Sequence, residues 1–341
     1  MSGERLLILA EGYSADTHYG KTMRGLLRYR REDVVAILDS ERVGAEIDGV
    51  QVVGSVEAAL AYAPTTALVG VATQGGRFPP AWRALLADCI RSGLNVENGL
   101  HEFLADDPEL GPLAALHGVT LRDLRHPPAG LDCPTGENLR VPADIVLTVG
   151  SDCAIGKMTV SLELDREARS RGLASVFVPT GQTGIAIAGW GIAVDAVVSD
   201  FVAGAAERLV IEGHERGGEL LLVEGQGAIS HPAYSGVTLG LLHGSAPHVL
   251  VLCHRAGAVE VDGYPGQPVL PLAELVELYE RVSLPARRAT VACVALNTAE
   301  LDDEAAAAAV ARAEAETGLP AGDPVRFGAG TLLDALLARL G

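Results

Sequence analysis

Val146-Leu147-Thr148-Val149-Gly150-Ser151-Asp152-Cys153-Ala154-Ile155-Gly156-Lys157-Met158-Thr159 is the stretch that decides the fold. It reads as a buried strand (Ile145 to Val149), a glycine-bounded turn and a helix from about Met158 through Arg169, the layout of a phosphate-binding loop. Glycines let the backbone close around an anion, several amide N–H groups point inward, the helix N-terminus adds partial positive charge and Lys157 adds a full one. Gly150, Ser151, Asp152, Cys153, Ala154, Ile155, Gly156, Lys157, Met158 and Thr159 are therefore the candidate contacts to a phosphate-bearing ligand. Five residues separate Gly150 from Gly156, one more than usual, and Met158 stands where a magnesium-binding hydroxyl residue normally follows the lysine. A thioether is no ligand for a hard cation, so Mg²⁺, if used, falls to Thr159 or Ser151, with Glu224 as the acidic partner. Phosphate binding is the expectation, and triphosphate hydrolysis stays open.

The chain has 341 residues, more than one core usually serves, and 48% of them are hydrophobic, enough to fill two domains. A formal net charge of −18, with no run of Lys or Arg, argues against nucleic acid and against anionic membrane surfaces as partners. Five scattered cysteines without a CxxC pair suit a reducing cytoplasm and give no metal-site signature. A strand from Arg5 to Ala10 starts almost at once, with no secretory pattern before it, and the weakly polar run Thr183 to Val194 is too short to span a bilayer. The expectation is a soluble cytoplasmic protein, forming a homo-oligomer.

Residues 1–110 alternate short apolar runs (Leu6–Ala10, Val34–Leu38, Val50–Val53, Ala67–Val71, Leu94–Glu97) with helical patterns over Lys21–Tyr29, Val56–Tyr62 and Pro80–Ser92. That alternation predicts α/β architecture, a Rossmann-like parallel sheet with helices on both faces. Glu11-Gly12-Tyr13-Ser14 lacks the glycine spacing of a dinucleotide site. Arg24, Arg28, Arg30 and Arg31 concentrate positive charge in the first helix, and His101 follows a strand end. Residues 111–140, rich in Pro and Gly, read as a connector, with Arg122, Arg125 and Arg140 as cations for a cleft or for structure.

Residues 141–341 read as a P-loop NTPase-like α/β domain. Strand Ala174–Val178 runs into Pro179-Thr180-Gly181-Gln182-Thr183-Gly184, where Gln182, Thr183 and Gly184 are candidate substrate contacts. Asp200 precedes a helix from Val202 to Glu215 and is either its cap or a substrate contact. Strand Glu219–Val223 ends in Glu224-Gly225-Gln226-Gly227. Glu224 thus sits where a P-loop protein presents the acid that orients magnesium or water, and Gln226 lies beside it. His231, in a Gly-Pro loop with Tyr234 and Ser235, is a candidate base near neutral pH, whereas His254, beside the strand Val249–Cys253, reads as structural. Asn297, ending the strand Val291–Leu296, is a nucleobase contact or a turn residue.

Gly150-Ser151-Asp152-Cys153 and Val223-Glu224-Gly225-Gln226-Gly227 resemble dethiobiotin synthetase-type P-loop proteins. Taken with Gly156-Lys157-Met158-Thr159, Gly181-Gln182-Thr183-Gly184, His231-Pro232-Ala233-Tyr234-Ser235-Gly236 and Lys21-Thr22 with Gly25-Leu26-Leu27-Arg28-Tyr29, the chain resembles the group catalogued as domain of unknown function 1611, described as D-glutamate N-acetyltransferase-like. The resemblance implies a Rossmann-like N-terminal domain, a P-loop C-terminal domain and transfer of acetyl from acetyl-CoA to an acidic D-amino acid. Coenzyme A carries a diphosphate that needs no catalytic magnesium, which would account for Met158. On that reading Lys157 and the loop amides hold the diphosphate, and Glu224 or His231 takes a proton from the incoming ammonium. Amides near Gly184 or Gly227 would steady the oxyanion, and Arg28 or Arg140 the substrate carboxylates. The competing reading is an ATP-dependent kinase or amide ligase with Asp152, Thr159 and Glu224 around Mg²⁺. A metal-delivery role is disfavoured, because no cysteine–histidine cluster is visible in the sequence.

Overall fold

The computed structural model describes residues 3–16 and 19–341. The chain divides into two compact units, one made of the residues up to His126 together with Gln182–Trp190, the other of Pro127–Gly181 and Gly191–Gly341.

The first unit contains β1 (Leu6–Leu9), α1 (Lys21–Tyr29), β2 (Val34–Leu38), β3 (Glu46–Ile47), β4 (Val50–Val53), α2 (Val56–Leu60), β5 (Thr66–Val69), α3 (Trp82–Arg91), β6 (Asn95–Asn98), α4 (Leu110–His117) and β7 (Leu121–Asp123). Its sheet runs β3-β4-β2-β1-β5-β6-β7, parallel except for the β3–β4 hairpin. β1 lies mid-sheet, every side chain fully buried, as expected of a strand covered on both faces. Asp48 (φ 47°) and Gly49 (φ 74°) turn the hairpin, the two left-handed residues that a tight turn of this hand needs.

The Rossmann-like reading holds, but the connector does not begin at residue 111. Leu110–His117 is a helix and Leu121–Asp123 an edge strand of the first sheet. Gly111-Pro112 looks like a breaker in sequence, yet a proline in the first turn of a helix forfeits only an N–H that has no intrahelical acceptor.

The second unit contains β8 (Asp144–Gly150), α5 (Lys157–Ser170) and β9 (Ser175–Val178). After α6 (Gln182–Ala188), which belongs to the first unit, it continues with α7 (Val202–Glu215), β10 (Leu220–Val223), α8 (Ser235–Ser245), β11 (Val249–Arg255), α9 (Leu272–Val282), β12 (Thr290–Asn297), α10 (Asp303–Thr317), β13 (Ala321–Gly322) and α11 (Gly330–Leu340). Its sheet is wholly parallel in the order β13-β12-β11-β8-β10-β9, so β8 lies between β11 and β10 and the loop after it is flanked by both their ends. Residues 127–140 belong to this unit, because the Glu207 carboxylate of α7 accepts the backbone N–H groups of Thr135, Gly136 and Asn138 at 2.6, 2.7 and 3.2 Å.

Helix α8 has no strong sequence signal, since Gly236, Gly240 and Gly244 lower helix propensity. Packing requires two of them: a Cβ at Gly240 would sit 2.4 Å from a Val202 methyl, and one at Gly244 would sit 2.1 Å from the Ala203 carbonyl oxygen. Among the described residues no helix is long and apolar enough to cross a membrane.

Candidate active site

The loop between β8 and α5 has the form of an anion seat. Ala154 (φ 53°) and Gly156 (φ 111°) both take left-handed backbone, which curls the chain before α5 begins at Lys157. Among the described residues, the backbone N–H groups from Ala154 to Thr159 donate to no protein acceptor. By contrast, the Ser151 N–H donates to the Cys253 carbonyl and the Cys153 N–H to Asp152 Oδ1. Six successive unengaged amides at the positive end of a 14-residue helix form a concentrated set of donors for an anion.

Lys157 is buried, and its Nζ donates to the Asp152 carbonyl at 2.6 Å, leaving two of the ammonium's three donors. Burial lowers its pKa, while Cys253, Cys153, Asp152 and Glu224 nearby act in the opposite direction. The loop is braced from beneath by Tyr279 of α9, whose hydroxyl donates to the Gly150 carbonyl at 2.7 Å and accepts from the Ile229 N–H at 2.9 Å. Asn297 adds a weaker brace, Nδ2 to the Ile155 carbonyl at 3.4 Å.

Glu224 follows directly on β10 and is 5% exposed. Its Oε2 accepts the N–H groups of Thr180 (2.9 Å) and Gly181 (3.1 Å), while its carbonyl takes the Thr180 hydroxyl at 2.7 Å. Oε1 accepts no hydrogen bond among the described residues. Burial drives the pKa up to about 7, against the two backbone N–H groups and the Lys157 charge that favour the anion. Close approach of Lys157 and the β10 end depends on Gly225, where a Cβ would stand 3.1 Å from Lys157 Cδ and 1.7 Å from the Thr148 carbonyl oxygen. A carboxyl that gains and loses a proton near neutral pH thus lies beside the phosphate loop's lysine.

On the other flank, Asp152, Cys153 and His231 bring one ligand-type atom each within 4.8 Å of one another. This corrects the expectation that no cysteine–histidine cluster exists; residues far apart in sequence assemble it, where CxxC spacing gave no hint. Its donors nonetheless suit a clasp better than a metal shell. Asp152 Oδ1 accepts the Cys153 N–H at 2.6 Å and Oδ2 the Asp262 N–H at 2.8 Å. His231 Nδ1 accepts the Ala233 N–H at 3.1 Å, which assigns the ring proton to Nε2, 3.8 Å from Asp152 Oδ1. The ring is 3% exposed and packs against Tyr234 and Tyr264, with centroids 4.7 and 5.1 Å away. With Nδ1 accepting and Nε2 facing Asp152, both ring nitrogens of His231 are engaged within this clasp.

Residues 132–333 match a family model described as "Domain of unknown function (DUF1611_C) P-loop domain", and residues 39–127 one described as "Domain of unknown function (DUF1611_N) Rossmann-like domain". The chain belongs to the DUF1611 family. Curated relatives named D-glutamate N-acetyltransferase share 37% identity over 97% of this chain and 98% of the protein from Tritonibacter scottomollicae, and 35% over 81% of each chain for that from a Pseudoalteromonas species. A crystal structure of a DUF1611 family protein from Anabaena variabilis is 43% identical, with TM-score 0.91, covering 98% of this chain and 99% of that one.

Within this DUF1611 chain the other predicted contacts separate. Gln182 and Thr183 sit in α6 and are engaged inside the first unit: Gln182 Oε1 accepts from Arg125 Nη2 at 2.9 Å, and the Thr183 hydroxyl bonds the Thr22 hydroxyl at 2.9 Å. Gly184 is buried in the same helix. Arg30 and Arg122 are also committed there, to Glu4 and Asp33 and to Glu97. Asp200 is exposed in a 3-10 turn and caps no helix with its side chain, while Arg140 is exposed in another such turn.

Gln226 stays beside Glu224, its Nε2 donating to the Thr180 hydroxyl at 3.2 Å. Tyr234 is half exposed against His231, and Ser235 opens α8 with its N–H on the His231 carbonyl. His254 bonds the Ser151 hydroxyl at 2.9 Å. Tyr279 and Asp262 were missed, having no motif of their own.

Proposed function

We propose that this DUF1611 protein transfers acetyl from acetyl-CoA to the amine of an acidic amino acid, D-glutamate as the relatives' names suggest, with the phosphate loop holding the CoA diphosphate. The observation that carries the reading is the run of unengaged amides from Ala154 to Thr159 beside a buried carboxyl poised near pH 7. The loop fits a diphosphate held without a metal. Met158 offers no ligand to Mg²⁺, and both Asp152 oxygens already accept backbone N–H groups, which weakens the ATP-dependent alternative built on Asp152, Thr159 and Glu224.

Lys157 and the amides neutralise the diphosphate, fixing the thioester end on the Glu224 side. Glu224 then takes one proton from the substrate ammonium through its unengaged Oε1. As the amine nitrogen bonds the acetyl carbon and the C–S bond breaks, the second amine proton leaves with the thiolate as CoA thiol. Thr180 and Gly181 hold the carboxylate in place throughout.

The test is incubation with acetyl-CoA and D-glutamate in EDTA, followed by mass spectrometry for N-acetylglutamate and a thiol assay for free CoA. Stoichiometric formation of both is expected. Product only with MgATP, or no product from any acidic amino acid, would overturn the proposal.

A further inference from the structure

Beside the phosphate loop the second unit holds a cavity of about 360 Å³, within the roughly 300–1,000 Å³ of small-molecule sites. Its walls include His254 from β11, Leu296 from β12, Leu270 and Leu272 at the start of α9, and Arg312 and Glu316 from α10. His254 joins it to the loop, since its Nδ1 bonds the Ser151 hydroxyl at 2.9 Å, and burial lowers the ring's pKa. Glu316 caps α9 at the cavity wall, its Oε1 accepting the Leu272 N–H at 2.6 Å. Arg312, one helical turn earlier, has no ion pair or hydrogen bond among the described residues. In a chain of net charge −18, an exposed guanidinium without a carboxylate partner at the rim of a cavity with both polar and apolar walls is an available anion contact.

Strand order then sets a sequence of subsites. Along the strand ends run the cavity at β12 and β11, the amide seat after β8, and Glu224 after β10. Coenzyme A has the same linear plan, with 3′-phosphorylated adenosine, then diphosphate, then the pantetheine thioester. We infer that the cavity takes the adenosine 3′-phosphate end of CoA, with the apolar walls and His254 against adenine and Arg312 on the 3′-phosphate. Arg312 is thereby a specificity determinant that favours CoA over ligands without that phosphate, ATP among them. The inference rests on the acetyl-CoA reading and adds the residue that would enforce it.

The experiment is calorimetric titration of CoA and of 3′-dephospho-CoA into the full chain and into Arg312→Ala, with Arg312→Lys as the charge-conserving control. The unaltered chain should bind CoA roughly tenfold more tightly than 3′-dephospho-CoA, as one charge-assisted phosphate contact allows. In Arg312→Ala the ratio should fall to about one, and Arg312→Lys should recover part of it. Equal binding of both ligands by the unaltered chain, or a ratio that survives Arg312→Ala, overturns the inference. If that happens while acetyl transfer proceeds, the inference falls alone; if CoA does not bind at all, the proposed function falls with it.

Discussion

Glu224→Gln separates the charge of this residue from its shape. The amide oxygen can still accept the Thr180 and Gly181 N–H groups at 2.9 and 3.1 Å, so the β10 end should keep its geometry. The charge is another matter. Burial raises the Glu224 pKa from 4.5 to about 7, so the folded protein prefers the protonated acid. The stability this residue contributes is therefore full below about pH 4.5 and is lost as pH rises through about 7. At about 1.36 kcal/mol per pH unit, that loss comes to about 3 kcal/mol.

Glutamine does not ionise, so Glu224→Gln should gain about 3 kcal/mol over the unaltered protein at pH 8 and almost nothing at pH 4.5. Activity should move the other way, falling roughly 10²- to 10⁴-fold with the proton acceptor gone. In the unaltered enzyme, kcat/KM should decline below about pH 7 as Glu224 protonates. Urea unfolding of both proteins from pH 4.5 to 8.5, together with acetyl-transfer rates, reads all three effects. Parallel stability profiles, or a variant with full activity, would refute the reasoning.

Further substitutions test the scaffold. Gly225→Ala puts a Cβ 1.7 Å from the Thr148 carbonyl oxygen and should cost about 3 kcal/mol or more by denaturant unfolding. A loss below about 1 kcal/mol would contradict the close packing of β10 on β8. Tyr279→Phe leaves the Gly150 carbonyl and Ile229 N–H without their partner and should lower stability by about 1–3 kcal/mol, read as a fall in Tm. Tyr279→Phe with an unchanged Tm would remove that brace from the account.

The fold was legible where local pattern and packing agree. Ile145–Val149 is an apolar run closed by a glycine turn and Gly-Lys, and Leu220–Val223 carries Glu224 at its polar end, so both the phosphate loop and its acidic neighbour could be placed in advance. Legibility failed where tertiary contact overrides local signal. Gly236, Gly240 and Gly244 look like loop residues, yet they lie in α8, and Gly240 and Gly244 let it press against α7. Gln182, Thr183 and Gly184 follow the end of a strand but fold into a helix whose partners, Thr22 and Arg125, lie far back in the chain. Nothing in the sequence announces that His231 Nδ1 accepts the Ala233 N–H, a contact set by the fold of its loop. The Arg312 cavity has walls from four separate elements and no motif to announce it.

The central claim is that the amides from Ala154 to Thr159, with Lys157, seat the CoA diphosphate. Calorimetry of acetyl-CoA with the unaltered protein and with Lys157→Ala, both in EDTA, tests it most directly. Metal-independent binding that weakens at least about tenfold in Lys157→Ala is the predicted result, matching loss of a buried charge contact to phosphate. Binding of equal strength in both proteins, or none until Mg²⁺ is added, would contradict it.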